Sequence, residues 1–164
     1  MALAMTNSIR IGNADPADYD DLGAVMYEAI HHGRSVYTRA QRLAWCPKSR
    51  AGSEWAKRLS SQTVYVAHRQ NQTLGFMSLA DAGYVDFAYI RPAAQGSGLF
   101  RRLYRSIEQH AVETQQRRLW VHASLTAQPA FSAMGFAIIK REVVEIGDQS
   151  LLRFEMEKHP QWDS

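Results

Sequence analysis

Between Arg91 and Phe100 the chain reads Arg-Pro-Ala-Ala-Gln-Gly-Ser-Gly-Leu-Phe, with two glycines one residue apart just ahead of an amphipathic run. A strand that ends in Gln95-Gly96-Ser97-Gly98 and opens into a helix aims several backbone N–H groups, and the positive end of the helix dipole, at one spot. That is an anion site, with phosphate the best match. The glycines let a ligand approach the backbone and permit positive φ where the turn needs it. A tight strand-to-helix connection with no ligand explains an isolated Gly-x-Gly equally well. Two better-known phosphate motifs fail. The dinucleotide fingerprint needs a third glycine where this chain has Arg101, counting from Gly96, and no Gly-Lys-Ser or Gly-Lys-Thr is present for a triphosphate loop.

The elements around this loop follow from periodicity. Tyr84 to Ile90 is a strand candidate that runs into the loop. After it, Leu99, Phe100, Leu103, Tyr104, Ile107 and Ala111 recur at helical spacing, while Arg101, Arg102, Arg105 and Glu108 take the opposite face. Leu119 to Ser124 is the next strand, so strand, helix and strand form a right-handed crossover with two parallel strands. A short helix over Ala127 to Met134 ends at Gly135. Phe136 to Ile146 and Leu151 to Met156, joined by Gly147-Asp148, form an antiparallel hairpin.

Upstream, Ser8 to Ile11 is a short strand. Asp15-Pro16 starts a helix running to about Gly33, with Tyr19, Leu22, Met26, Ala29 and Ile30 at helical spacing. Thr38 and Gln41 form a capping box for a second helix that Pro47 stops, with Trp45 read as core from its apolar neighbours. Ser53 starts a further turn or two through Leu59. Thr63 to His68 and Thr73 to Leu79 form a hairpin about Gln70-Asn71-Gln72. The sheet is therefore mixed, and the first seven residues and the tail after Lys158 read as loose.

The composition bounds the answer. With 164 residues, 46% hydrophobic and 21% charged, the chain suits one folded domain spanning 1–164. Nineteen Lys and Arg against sixteen Asp and Glu leave a charge of +3, too small to demand nucleic acid. Cys46 is the lone cysteine, which excludes an intrachain disulfide and a cysteine-based metal site, and the chain reads as cytoplasmic. No stretch resembles a signal peptide or approaches 18 consecutive apolar residues, so neither secretion nor a membrane partner is expected. His31 and His32 are adjacent on a helix and point about 100° apart, with no third ligand evident, so no metal is expected.

Gln95-Gly96-Ser97-Gly98-Leu99-Phe100 resembles the pyrophosphate loop of the GNAT superfamily of acyl-CoA-dependent N-acetyltransferases, whose motif is Gln or Arg, two residues, Gly, one residue, then Gly or Ala. Phe100 departs from it, being bulky where the family keeps a small residue. Val85 to Pro92 looks like the family's fourth strand, and Ala127 to Phe136, with Ala130-Phe131 and Gly135-Phe136, is similar to its short helix followed by Gly-Phe. The resemblance is strongest over residues 84 to 136. It implies an α+β fold, an α/β/α sandwich with a mixed, mostly antiparallel sheet of six or seven strands and helices on both faces.

The resemblance also implies a chemistry. Acetyl-CoA would be the co-substrate, with its pantetheine arm between the splayed fourth and fifth strands at Ile90. Its pyrophosphate would take the N–H groups of Gln95, Gly96, Ser97, Gly98, Leu99 and Phe100, and its tail would be flanked by Phe131. A thioester is already activated, so such a protein must position it, stabilise an oxyanion and obtain a neutral amine. An amine with a pKa near 10.4 is mostly protonated at pH 7, hence a role for a base. Asp86 on the fourth strand and His122 on the fifth are the candidates; each could equally be structural, a strand-surface carboxylate and a hydrogen-bonded histidine. Many relatives hold a tyrosine where this chain has Phe131, so the thiolate's proton must come from another group, such as Tyr84 or Tyr89, or from no protein acid.

The expected acceptor is a small-molecule or peptide amine, recognised by the region of Glu28, His31, His32, Tyr37 and Trp45, and a homodimer is compatible with the family. A non-catalytic acyl-CoA-binding module is the alternative, for which Phe131 and Phe100 argue. Nucleic-acid binding through Arg101, Arg102, Arg105, Arg117 and Arg118 is the weaker competitor, because Glu108 and Glu113 share that helix.

Overall fold

A computed structural model describes residues 8–160; residues 1–7 and 161–164, on which part of the expectation of loose ends falls, lie outside the described residues. The seven strands are β1 (Ile9–Asn13), β2 (Thr63–Arg69), β3 (Gln72–Leu79), β4 (Tyr84–Ile90), β5 (Leu119–Ser124), β6 (Ala137–Ile146) and β7 (Gln149–Lys158). They form one sheet in the order β1-β2-β3-β4-β5-β7-β6. The helices are α1 (Tyr19–His32), α2 (Arg39–Trp45), α3 (Gly52–Ser60), α4 (Leu99–Glu113) and α5 (Gln128–Ala133). The expected mixed sheet is present, antiparallel except between β4 and β5.

Each face of the sheet carries its own core. On one, the apolar stripe of α4 (Leu99, Leu103, Ile107 and Ala111) packs on Val85, Leu119, Val121 and Met156. On the other, Leu22, Val25, Met26 and Ile30 of α1, with Trp55 and Leu59 of α3, cover Val64, Val66, Phe76 and Phe87. Strand alternation enforces this split: along β5, Leu119, Val121 and Ala123 are buried against the α4 side, and Trp120, His122 and Ser124 project to the other face.

Two irregularities set the site. β4 carries one extra residue opposite Ser78, because Met77 pairs with Ala88 while Leu79 pairs with Val85. The buried Ser78 hydroxyl oxygen accepts the Phe87 N–H at 3.1 Å and holds that bulge. At the base of the parallel pair, Gly83 has φ +76°, and a Cβ there would lie 1.9 Å from the Arg118 carbonyl oxygen. A side chain at Gly83 would therefore push β4 and β5 apart where they must meet.

Several element ends depart from the sequence expectations by a residue or two, and three of them have a visible cause. Asp15 caps a separate 3-10 turn over Pro16–Asp18, with Asp18 completing the capping box, so α1 itself begins at Tyr19. α3 starts at Gly52, and the Asp20 carboxylate accepts the Gly52 N–H at 3.2 Å. β7 runs past Met156 to Lys158, whose ammonium donates to the Met134 carbonyl and pairs with Glu108 at 2.8 Å. Those last two are long-range contacts and leave no local pattern.

Candidate active site

β4 and β5 pair only at Tyr84–Trp120 and Val85–Val121. Beyond these positions they diverge, and a cavity of 420 Å3 opens between Ala88, Tyr89 and Ile90 on one side and Ser124 and Thr126 on the other. The Gly-rich loop closes one end. Gly96 and Gly98 have φ +77° and +80°, the left-handed geometry the sequence suggested, and a Cβ on either would meet nothing within 4 Å. The glycines are thus required by backbone conformation and by the open space in front of them, not by packing. The Gln95 side-chain amide donates to the Ile90 carbonyl at 3.0 Å and folds the loop back onto the strand end.

The helix end that faces this space carries unused donors. Gly98 is the N-cap of α4 without a side-chain cap, and the first helical bond runs from Arg102 N–H to the Gly98 carbonyl. The N–H groups of the first turn, Leu99, Phe100 and Arg101, therefore have no intrahelical acceptor, and all three residues line the cavity. Arg34 and Arg101 are its cationic walls. Of the residues singled out from sequence, Ile90, Gln95, Gly96, Gly98, Leu99 and Phe100 come together here.

Ser97 and Phe131 do not. The Ser97 hydroxyl donates to the Ala94 carbonyl at 2.6 Å and stabilises the turn from outside the cavity. Phe131 is 1% exposed, packed edge-on against Phe100 at 5.1 Å and Phe136 at 5.2 Å. The wall expected of Phe131 is supplied by its helix neighbours Ala127, Ala130 and Met134. The bulk of Phe100 is accommodated by this same edge-to-face stack.

A second, smaller cavity of 80 Å3 adjoins the first through Trp45 and Ser124, which line both. His122 is in its wall. The ring's Nδ1 lies 3.1 Å from the Tyr84 hydroxyl, and Nε2 stands 3.6 Å from Glu142 and 3.7 Å from Glu155. Burial, followed by Arg153, holds the imidazole below its ordinary pKa and outweighs the two glutamates. The ring is therefore in its neutral, proton-accepting form at neutral pH.

Asp86 has a different setting. Arg58 donates to both its oxygens at 3.0 and 2.9 Å, Gln62 adds a bond at 2.7 Å, and the residue lines neither cavity. Trp45, expected as core, is partly buried against the α1 core and also lines both cavities, with its ring near Tyr37 at 5.9 Å and Tyr89 at 6.3 Å. Tyr37 and Arg153 complete the smaller cavity. The Tyr37 hydroxyl accepts the Leu125 N–H at 2.9 Å and donates to the Leu152 carbonyl, tying the segment before α2 to the ends of β5 and β7. Tyr37→Phe should cost about 1–3 kcal/mol by stranding both backbone groups, read as a lowered denaturation midpoint with an unchanged m-value.

Known proteins with this arrangement bear on it directly. Residues 34–158 match the family model of the acetyltransferase (GNAT) domain. The chain is 30% identical over 156 residues, 94% of its length and 99% of the relative's, to the N-acetyltransferase YafP of Escherichia coli K12. Among solved structures it is similar to a GCN5-related N-acetyltransferase from Rhodopseudomonas palustris at 25% identity, with a TM-score of 0.83 over 93% of this chain and 96% of that one. A structure of yncA from Salmonella typhimurium with its cofactor acetyl-CoA aligns at 20% identity and TM-score 0.67 over 96% of each chain. The splayed parallel pair, the loop at the start of α4 and these matches lead to one conclusion: the chain belongs to the GNAT family of acetyltransferases and is an acyltransferase.

Proposed function

We propose that this protein moves the acetyl group of acetyl-CoA to a primary amine by direct attack, as a cytoplasmic single-domain enzyme. The observation that carries the reading is the junction of the two cavities. The larger has free N–H donors at its loop for a phosphate-tailed acyl carrier, and the smaller brings a neutral imidazole beside it across Trp45 and Ser124. Bound acetyl-CoA supplies a thioester carbonyl already activated toward amines. Ile90 and the strand backbone beside it orient the arm, and the N–H groups from Gly96 to Phe100 hold the pyrophosphate; the Gln95 N–H, expected among them, donates instead to the Pro92 carbonyl at 3.3 Å. Ser97 serves by fixing the turn, and Phe131 by supporting Phe100 from beneath.

In this reading His122 takes the proton from the ammonium form of the acceptor, and Tyr84 holds the ring in place. The amine nitrogen bonds to the carbonyl carbon as the carbon–sulfur bond breaks. The proton released by the amine balances the one taken up by the departing thiolate, so amide and free thiol form without a further reactant. Asp86 anchors α3 through Arg58 and the turn after it through Gln62, and has no proton-transfer role. Release of free CoA thiol from acetyl-CoA on adding primary amines tests the proposal. Tight acetyl-CoA binding with no amine-dependent thiol release would identify a binding module instead.

Direct attack leaves nothing for the cysteine to do. Cys46 is 1% exposed, its thiol donates to the Lys48 carbonyl at 3.4 Å, and burial pushes its pKa up, so the nucleophilic thiolate is disfavoured. Cys46→Ser is expected to keep most of the transfer rate, and mass spectrometry of the protein with acetyl-CoA alone should show no added 42 Da on Cys46, that being about the mass of one acetyl group replacing a proton. Loss of transfer in a folded, CoA-binding Cys46→Ser protein would point to a covalent relay.

A further inference from the structure

On the sheet face away from α4, the register of three strands sets side chains in rows. His122 stands opposite Glu155 and Ser124 opposite Arg153 across β5 and β7. Arg153 stands opposite Glu142, and Leu151 opposite Val144, across β7 and β6. Directly opposed residues share a face with Cα atoms about 4.5–5.5 Å apart, so the rows are charged at the His122 end and apolar at the Leu151 end. The smaller cavity sits where the two ends meet. Arg153, Val144, Ile146 and Leu151 form its floor under Trp45 and Tyr37.

Arg153 is only half used. Its Nε–H donates to Glu142 at 2.7 Å, and its terminal nitrogens bond none of the described residues. Glu142 is itself shared with Lys140 at 3.5 Å, which leaves the guanidinium incompletely neutralised. A free guanidinium edge beside an apolar floor is a carboxylate site.

The segment that carries Tyr37 and Trp45 is itself cationic. Between Glu28 and Glu54 the sequence contains Arg34, Arg39, Arg42, Lys48 and Arg50 and no carboxylate. None of these five cations forms an ion pair among the described residues. The net positive charge of that segment disfavours a polycationic amine and favours an acceptor with its own carboxylate.

Given the acetyl-transfer reading above, on which this rests, we infer that the acceptor is a small α-amino carboxylate with an apolar side chain. Its carboxylate binds Arg153, its side chain lies on Val144, Ile146 and Leu151, and its amine reaches Ser124 and His122 at the junction with the larger cavity. The direct opposition of Ser124 and Arg153 requires amine and carboxylate to be only a few bonds apart, as in an α-amino acid.

The test compares L-leucine and L-methionine with the same amines lacking the carboxylate, isopentylamine and 3-(methylthio)propylamine, and with spermidine, by thiol release from acetyl-CoA. The amino acids should lead in kcat/KM by tenfold or more. Arg153→Gln should erase that lead through a KM raised for the amino acids relative to the simple amines measured on the same variant, and Arg153→Lys should restore part of it. Equal or better use of isopentylamine or spermidine overturns the inference, as does a lead that survives Arg153→Gln in a folded protein. Calorimetry on the CoA-bound protein separates the two levels. Arg153-dependent leucine binding without thiol release would refute acetyl transfer and keep the carboxylate site; leucine binding no tighter than isopentylamine refutes the site, whatever the turnover.

Discussion

Gly98→Asp is expected to weaken acetyl-CoA binding by well over tenfold while leaving the protein folded. The position has φ +80° and open space around the missing Cβ, so an aspartate side chain fits without collision and costs about 1–2 kcal/mol for the left-handed backbone. The added carboxylate would stand at the N-cap of α4, in front of the N–H groups that have no intrahelical acceptor. Opposite charges are attracted to such a helix end and the aspartate takes the donors for itself, while two anions about 4 Å apart in a partly buried site repel by up to about 4 kcal/mol. Even half of that exceeds the 1.4 kcal/mol that tenfold requires. Calorimetry with CoA measures the effect, and Gly98→Ala is the control for backbone strain alone. Unchanged CoA affinity in the aspartate variant would place the pyrophosphate elsewhere.

How far the sequence could anticipate this site depends on which contacts are local. The loop, the stripe of α4 and the capping box of α2 are legible because each is written within about ten consecutive residues. The side-chain alternation of β5 also puts His122 and Ser124 on one face without any tertiary knowledge. Arg153 was not legible, since it becomes relevant only through its register opposite Ser124; Trp45 was legible within the acceptor region, but its place at the gap between the diverging β4 and β5 leaves no local pattern. Asp86 was misleading for a related reason. The bulge opposite Ser78 changes the parity of β4, and the partners of Asp86 come from Arg58 on α3 and from Gln62. For Phe131 the spacing to Gly135 located the helix correctly but not which of its faces turns inward.

His122→Gln carries the other large expected effect. Because burial and Arg153 depress the imidazole pKa, the wild-type base form persists below the ordinary value of about 6.5, and kcat/KM should fall only as pH drops through the lower, folded-state value. Removing the ring should reduce the neutral-pH rate by about 10²–10⁴, the usual contribution of a positioned base. The loss should shrink toward pH 10, where the acceptor amine deprotonates unaided. Stability has its own sign. The unfolded chain binds the imidazole proton more readily, so His122 destabilises the fold as pH falls from the ordinary value to the depressed one, and the glutamine variant lacks that component. Asp86→Asn is the comparison that separates proton transfer from architecture, since it weakens the Arg58 and Gln62 contacts without touching the cavity. It should lower the melting temperature and leave the shape of the pH profile intact. A His122→Gln enzyme with a wild-type profile, beside an Asp86→Asn enzyme that loses its acid limb, would exchange the two roles.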